Sequence, residues 1–489
     1  MNRMKSLKCL SFYFDTTVNK FNFQFRERLI QMKSYSTVKY TINIMSDIEK
    51  ELDLGNMKHR KHPGVRKMAP IKLPPFVLDA IYRLISSNHE HAFLTRSSQL
   101  CKEILSRRLP VEQEEIQDKI QETSLEISEL EESIPEIVRK KRILELKKQL
   151  QVEIGRWKHI EYNASESLAY LAGRAAPNFA STLRVLTELK NRVPSFCPKT
   201  FFDFGSGIGS AIWAANSLWG DTIKEYFCVD SSPDMNDLSQ SILTIEETDQ
   251  MHIKPVNYRQ FLPASENIKY DLVVSAFSLL ELPSMKDRLQ AIDTLWRKTK
   301  NVLVIVEHGT LAGFSTVLDA RDYVLHIENE ASLEFALSHT NGAHVLCPCP
   351  HDVSCPLVKK YRDSCGLFVT YQTIFPRQRQ VFNKDFISYV VLKKGRRPPD
   401  DNTWPRIVRP VLKKSKHVHC RLCCDDGQLH ETIVTKARHG RHAYRAARSS
   451  SLGDLLPANI QLSTDEVKFP EEIFKDSGYF ESDDEENKT

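Results

Sequence analysis

The sequence predicts an α/β chain: a parallel, doubly wound sheet of Rossmann-like type, preceded by a helical region and followed by a cysteine-rich, basic extension. Three observations carry that expectation. A glycine-rich turn at 205–209 follows a strand-like run and opens a helix. Short apolar runs recur between helical segments after residue 196. Seven of the eleven cysteines fall between Cys347 and Cys424, which in a reducing compartment points to metal before disulfides. At 489 residues and 41% hydrophobic content the chain exceeds one ordinary core and is globular. No run approaches the roughly 20 uninterrupted apolar residues of a membrane helix, so no membrane partner is expected.

The first forty residues carry Arg3, Lys5, Lys8, Lys20, Arg26, Arg28, Lys33 and Lys39 against Asp15 and Glu27, with no apolar core of signal-peptide length. This is the composition of a mitochondrial presequence, placed at 1–45, and it predicts a mitochondrial matrix location; an ordinary basic tail is the alternative. Residues 69–195 read as helical. Ile116, Ile120, Thr123, Ile127, Leu130, Ile134 and Ile137 recur four and three apart, a heptad seam that suits either a coiled segment or an amphipathic helix on its own domain. Pro135 marks a kink or a turn there, and Pro177 is expected to break the helical stretch 161–190.

A domain boundary near Cys197 opens the sheet unit, 196–313, with strands over Thr200–Phe204, Tyr226–Val229, Asp271–Ser275 and Val302–Val306 and a helix over Ser210–Trp219. The remainder, 314–458, contains a helix from Ser315 to Leu325, the cysteine-rich segment, a strand from Phe386 to Leu392, a linker-like stretch from Lys394 to Asp401, and a basic region. From 459 to 489 the chain is polar and acidic, ending in Glu481, Asp483, Asp484, Glu485 and Glu486, and is expected to be disordered.

Asp203-Phe204-Gly205-Ser206-Gly207-Ile208-Gly209 lies directly after the first strand. Its glycines let the backbone turn tightly and approach a ligand. Asp230, 21 residues beyond Gly209 at the end of the second strand, is placed to accept the ribose hydroxyls of an adenosine. The looser triplet, preceded by Asp203, suits S-adenosylmethionine better than a dinucleotide pyrophosphate. A sheet that keeps the fold without the ligand is the alternative. Methyl transfer needs an acceptor pocket after the fourth strand, where Val274-Ser275-Ala276-Phe277-Ser278-Leu279 carries neither an Asp/Asn-Pro-Pro-Tyr/Phe element nor a Pro-Cys nucleophile. Ser275 and Glu307 are either ligand contacts or structural groups, and no catalytic residue is assigned.

Cys347, Cys349, Cys355 and Cys365, with prolines at 348, 350 and 356, form one thiol-rich segment; Cys420, Cys423 and Cys424 form a second. Thiolates from both can meet at one metal and tie the basic region to the sheet. Cys420 with Cys423 has the C-x-x-C spacing of a zinc knuckle, whereas Cys349, Cys355 and Cys365 are spaced loosely enough for a larger cubane. Spacing leaves the metal open. Between Lys393 and Arg448 stand fifteen Lys and Arg residues, a density suited to phosphate contacts, or else a solvated basic surface. Arg438, Arg441 and Arg445 are the candidates for RNA.

The segments TFFDFGSGIGSAIWAA, VSAFSLLELP, LVIVEHGTLAGF, CPCPHDVSCPL, WPRIVRPVLKKSKHVHCRLCC and YRAARSSSLGDLLP, spanning about 161 to 457, together resemble the ribosomal small-subunit methyltransferase-like proteins. The resemblance implies a Rossmann-like S-adenosylmethionine methyltransferase sheet and a 4Fe-4S cluster on the positions that match Cys349, Cys355, Cys365 and Cys423. Cys347, Cys420 and Cys424 stand as extra thiols, which leaves Cys420 or Cys423 as the fourth ligand. It also implies association with the maturing mitochondrial small ribosomal subunit, its rRNA and its ribosomal proteins, in support of mitochondrial translation. The expected function is an rRNA-binding assembly factor. An active S-adenosylmethionine-dependent rRNA methyltransferase and a zinc-dependent RNA-binding module are the alternatives.

Overall fold

A computed structural model describes residues 40–462, apart from 87–89, most of 111–134, 155–156, 335–341, 360–363, 376–380 and single positions between 246 and 266. Apart from the small antiparallel pair Thr244–Ile245 and Gln250–Met251, its strands are β1 (Tyr40–Ile44), β2 (Thr200–Phe204), β3 (Glu225–Val229), β4 (Val256–Arg259), β5 (Tyr270–Ala276), β6 (Thr299–His308), β7 (Ala343–Cys347), β8 (Leu367–Gln372), β9 (Phe382–Lys394), β10 (Arg406–Ile407), β11 (Leu412–Lys413), β12 (His417–Cys423), β13 (Leu429–Thr435) and β14 (Ala458–Leu462). The main sheet runs β8-β9-β6-β5-β2-β3-β4, with β7 also pairing β9. From β4 to β6 neighbours are parallel; β9 then joins antiparallel to β6, β7 and β8. Strand order reverses between β2 and β5, the place where open α/β sheets leave a crevice for ligands.

The helices are α1 (Ser46–Asp53), α2 (Pro75–Ser86), α3 (Glu90–Ser106), α4 (Glu136–Ile154), α5 (Ala164–Arg192), α6 (Ser210–Trp219), α7 (Pro233–Leu243), α8 (Met285–Lys298), α9 (Leu311–Glu334) and α10 (Lys436–Ser449). Both sheet faces are covered, because alternate strand residues point to opposite sides. Phe201, Leu272, Val274, Val302 and Val304 pack with Ala175, Phe179, Ile212 and Trp213 on one side. Phe202, Val273, Leu303 and Ile305 pack with Ile292, Leu295, Trp296 and Val324 on the other. Asn163, Ser232 and Ser284 cap α5, α7 and α8 by accepting the backbone N–H of Glu166, Met235 and Asp287.

Three boundaries differ from the sequence reading. Pro177 lies inside an unbroken α5; the helix is buried nearly all round, through Leu171, Ala175, Ala176, Phe179 and Ala180 among others, and that packing outweighs the roughly 3 kcal/mol that an interior proline costs. Pro135 does mark a helix start, since its carbonyl accepts from Val138 and Arg139 at the head of α4; most of the heptad seam lies outside the described residues. The presequence range 1–45 takes in the whole of β1, and the tail limit at 459 cuts through β14. Those two strands pair along their whole length, Tyr40 with Leu462 to Ile44 with Ala458, so both belong to the folded body. Residues 1–39 and 463–489 lie outside the described residues.

The basic region is a module of its own. β10, β11 and β13 all pair with β12, and α10 closes a core of Ile407, Val418, Cys420, Leu422, Val434, Ala443 and Ala447, to which β1 and α1 add Ile42, Ile44, Ile48 and Leu52. Arg406 anchors this module to the sheet. Its guanidinium is buried against Glu188 of α5 and donates to the carbonyls of Pro348 and Gly453.

Candidate functional site

Gly205, Gly207 and Gly209 all hold positive φ, 66°, 49° and 88°, so the sequence-predicted turn needs glycine at each. Their surroundings differ. A Cβ on Gly205 would stand 2.2 Å from that of Ser278, and one on Gly209 2.7 Å from the Ser239 hydroxyl, whereas one on Gly207 would meet nothing nearer than Asp230 Oδ2 at 4.0 Å. Gly205 and Gly209 pack the loop onto its neighbours; Gly207 is the open face.

Asp230 sits at the end of β3 as expected, and its carboxylate accepts from the backbone N–H of Gly207 at 2.8 Å and Ser232 at 2.9 Å. Two acceptor positions stay available for ribose hydroxyls. Asp203 is buried, with Oδ2 unpartnered, and burial, then the charge of Asp230, pushes its carboxyl up to about 8. An orphaned buried carboxyl oxygen beside an open glycine is the kind of place a ligand's ammonium group fills. The five residues therefore fit S-adenosylmethionine.

Beyond β5, where an acceptor would approach, buried side chains pack together. Phe277, at the end of β5, takes φ +60°, an uncommon backbone state for a bulky residue. Its ring lies 4.7 Å from His308 and 5.7 Å below the Arg174 guanidinium, and Arg174 is buried with Asn178 and Asp385. Glu307 accepts from the N–H groups of Leu279 and Leu280, and Ser275 bonds Ser278. Both candidates hold the loop after β5. The N-terminal helical region is fastened to the same loop: Trp157 Nε1 donates to the Leu280 carbonyl, the Tyr162 hydroxyl donates to Glu281, and Arg107 pairs with Glu281.

The structure brings Cys349, Cys355, Cys365 and Cys423 together. Burial, then repulsion from one another, pushes the thiols of Cys355 and Cys423 up, and Cys365 likewise answers to Cys349. Among the described residues no three of these thiols lie within 4.8 Å of one another, a wider spread than the roughly 3.8 Å between thiolates on one tetrahedral zinc with 2.3 Å bonds. Cys420 is excluded. Three residues along a strand reverse the side-chain direction, so Val418, Cys420 and Leu422 face the module's own core while Cys423 meets His351 and the cysteine loop; the apparent knuckle is two faces of β12. Cys347 is buried in the sheet core.

Around the four thiols, Arg321 donates to the carbonyls of His351 and Val353, and Arg409 to that of Ser364. His351 Nδ1 faces the Val353 carbonyl at 3.1 Å, which makes that nitrogen the donor, so Nε2, 3.3 Å from Cys423 Sγ, is the acceptor. Burial holds His351 neutral, its pKa lowered to about 4. None of these neighbours was singled out from the sequence, although His351 stands within the Cys349–Cys355 segment.

The fifteen basic residues separate into two sets. Arg406 is buried in an ion pair, Arg397 binds Asp352 and Asp401, and Lys394 lies 3.6 Å over the Trp296 ring beside Glu328. These are internal braces, which corrects the reading of the whole run as a phosphate surface. Arg438 is exposed before, and Arg441 and Arg445 after, a break in α10 at Gly440, whose φ is 78°. Arg445 and Arg448 share a shallow groove of about 300 Å³ with Lys58, His59 and Arg60, residues the sequence signals only as the basic run 58–62.

Residues 164–457 match the family model described as mitochondrial small ribosomal subunit Rsm22. The human protein named ribosome assembly protein METTL17, mitochondrial, is 39% identical over 82% of this chain and 86% of its own length. The Rsm22-cox11 tandem protein 2, mitochondrial, of Schizosaccharomyces pombe is 30% identical over 59% of this chain and 43% of its own length. Among solved structures, magnesium protoporphyrin IX methyltransferase from Synechocystis overlaps 49% of this chain and 87% of its own at 12% identity, with a TM-score of 0.28 that carries no argument. On the family match and the human relative, the chain belongs to the Rsm22 family.

Proposed function

We propose that this protein is an assembly factor of the mitochondrial small ribosomal subunit, working in the matrix, that holds a 4Fe-4S cluster on Cys349, Cys355, Cys365 and Cys423 and lays its α10 face on rRNA. The relatives' names supply the process. The observation that carries the rest is that Cys423 of the basic module meets the cysteine loop of the sheet unit, so one metal centre fixes the exposed arginines relative to the sheet. The wide spread of the four thiols favours a cluster over a single zinc. A cluster there supplies a structural clamp, and Arg321 and Arg409 lie close enough to offset thiolate charge.

The test is anaerobic preparation of the full chain with iron analysis, followed by titration onto small-subunit rRNA at several salt concentrations. Broad absorption at about 400 nm with bound iron is expected; zinc in place of iron at these thiols overturns the cluster and leaves the zinc-dependent RNA-binding module. Neutralising Arg438, Arg441 and Arg445 to Gln should lower the slope of log affinity against log salt by about 0.7 per lost phosphate contact on single-stranded RNA. An unchanged slope removes the RNA face from α10.

The second reading, an active S-adenosylmethionine-dependent rRNA methyltransferase, draws support from the unpartnered Asp203 oxygen beside the open Gly207. Bound there, the cofactor supplies an electrophilic methyl group; Asp203, Gly205, Gly207, Gly209 and Asp230 would hold it. The Phe277, His308 and Arg174 cluster on the acceptor side weighs against transfer. Loss of a single rRNA methyl group in Asp203→Asn, with normal subunit assembly, would establish the enzyme.

A further inference from the structure

Cys424 immediately follows the cysteine that faces the four-thiol site, and the strand alternation turns it the other way, into the core of the basic module. The turn from β12 into β13, closed by Cys424 N–H to the Gln428 carbonyl and Gly427 N–H to the Cys424 carbonyl, brings three different donors together. Cys424 Sγ, a carboxylate oxygen of Asp426 and a ring nitrogen of His430 all lie within 4.8 Å of one another. They are a thiol, a carboxylate and an imidazole, the donor types zinc takes.

We infer that this hairpin turn is a second metal site, for a zinc ion held by Cys424, Asp426 and His430 and independent of the four-thiol centre. The imidazole supplies the second observation. His430 is 8% exposed, its Nε2 meets Asp426 Oδ2 at 2.6 Å, and its Nδ1 is buried without a partner. A plain Asp–His hydrogen bond satisfies one nitrogen and leaves the other orphaned, along with a thiol only 3% exposed. Ligation of a divalent ion through Nδ1 would occupy that nitrogen and the thiol together, with Nε2 left on Asp426. Charge balances as well, since one thiolate and one carboxylate neutralise Zn²⁺. Asp426 is held for this role by the Gln428 N–H on its other oxygen, at 2.9 Å. The carboxylate lies at the exposed edge of the trio, so the ion has a way in and room for a water as fourth ligand.

The site reaches the start of the folded body. The Tyr40 ring lies 4.5 Å from the His430 ring, and β1 runs on from Tyr40 into the module core. Zinc here fixes the imidazole on which the first described strand rests, and so secures the turn and that strand together.

The experiment uses the full chain prepared anaerobically, dialysed against a mild chelator, offered equimolar Zn²⁺, and analysed for zinc and iron in the same sample. Wild type is expected to keep a single zinc per chain. Asp426→Asn, at an exposed position where folding is not at stake, and His430→Gln are expected to weaken zinc retention by about tenfold or more with iron unchanged. Cys355→Ser is expected to lose iron and keep zinc, which separates failure at one centre from failure at the other. A wild-type chain that retains no zinc, or Asp426→Asn and His430→Gln variants that retain it as wild type does, overturns the second site.

Discussion

Glu188 shows how much one carboxylate can hold. It is 1% exposed, accepts from Arg184 at 3.0 Å and from the Tyr389 hydroxyl at 3.0 Å, and pairs with Arg406. Although burial alone would raise its pKa, Arg406, Arg184 and Arg192 hold it well below the ordinary 4.5. Glu188→Gln strips the charge from a buried network and leaves the guanidinium groups uncompensated, so a loss of about 3 to 5 kcal/mol is expected in denaturant unfolding. A depressed carboxylate stabilises the fold above its unfolded value; the contribution is present above about pH 4.5 and lost as pH falls through the lower folded value. Asp203 has the opposite sign. With its folded pKa raised to about 8 from 3.8, the folded state holds a proton that the unfolded chain releases, so stability declines as pH rises between those values. Asp203→Asn should flatten that decline in thermal melts and, on the proposed reading of the glycine loop, weaken S-adenosylmethionine binding as well. A mutant whose pH profile matches wild type would show that Asp203 is not the group responsible.

At the scale of elements, close approach decides more than propensity. α3 crosses α5 at Gly173, where a Cβ would come 2.5 Å from Cys101 Sγ and 2.7 Å from Ser97 Oγ. Gly173→Ala should cost about 1 to 3 kcal/mol by overpacking, and adding Cys101→Ala should return part of it in the same unfolding measurement. The strands and the glycine loop were legible in the sequence because contiguous apolar runs such as Val302–Val306 belong to strands buried on both faces, and because a positive-φ turn leaves a glycine signature. The antiparallel β7–β9 join was not, since nothing local in Ala343–Cys347 states which neighbour it takes. Cys420 and Cys423 have the spacing of a knuckle, and only the strand period, visible once β12 was placed, sends them to different faces. Arg397 and Arg406 read as part of a phosphate surface because charge is visible in sequence and its partners, Asp352 and Glu188, lie far away along the chain.

For the molecule as a whole, the two ends of the described chain close on each other, and that closure sets where any presequence can be removed. β1 pairs with β14 over all five residues, Met45 N–H donates to the Pro457 carbonyl, and Ile42 and Ile44 enter the basic module's core. A chain beginning at Ser46 loses those two side chains and leaves β14 an unpaired edge. At about 1.5 to 3 kcal/mol for each buried isoleucine, taken as an upper bound, the loss falls mainly on the module that carries Cys423 and the α10 arginines. A chain beginning at Tyr40 keeps the pairing. The expected outcome is that the Ser46 form, compared with the Tyr40 form, becomes protease-sensitive between 406 and 462, loses iron, and binds rRNA more weakly, while the 200–308 sheet stays protected. Equal protection of the two forms across 406–462 would mean that the module folds without its first strand, and that removal as late as residue 45 leaves the protein intact.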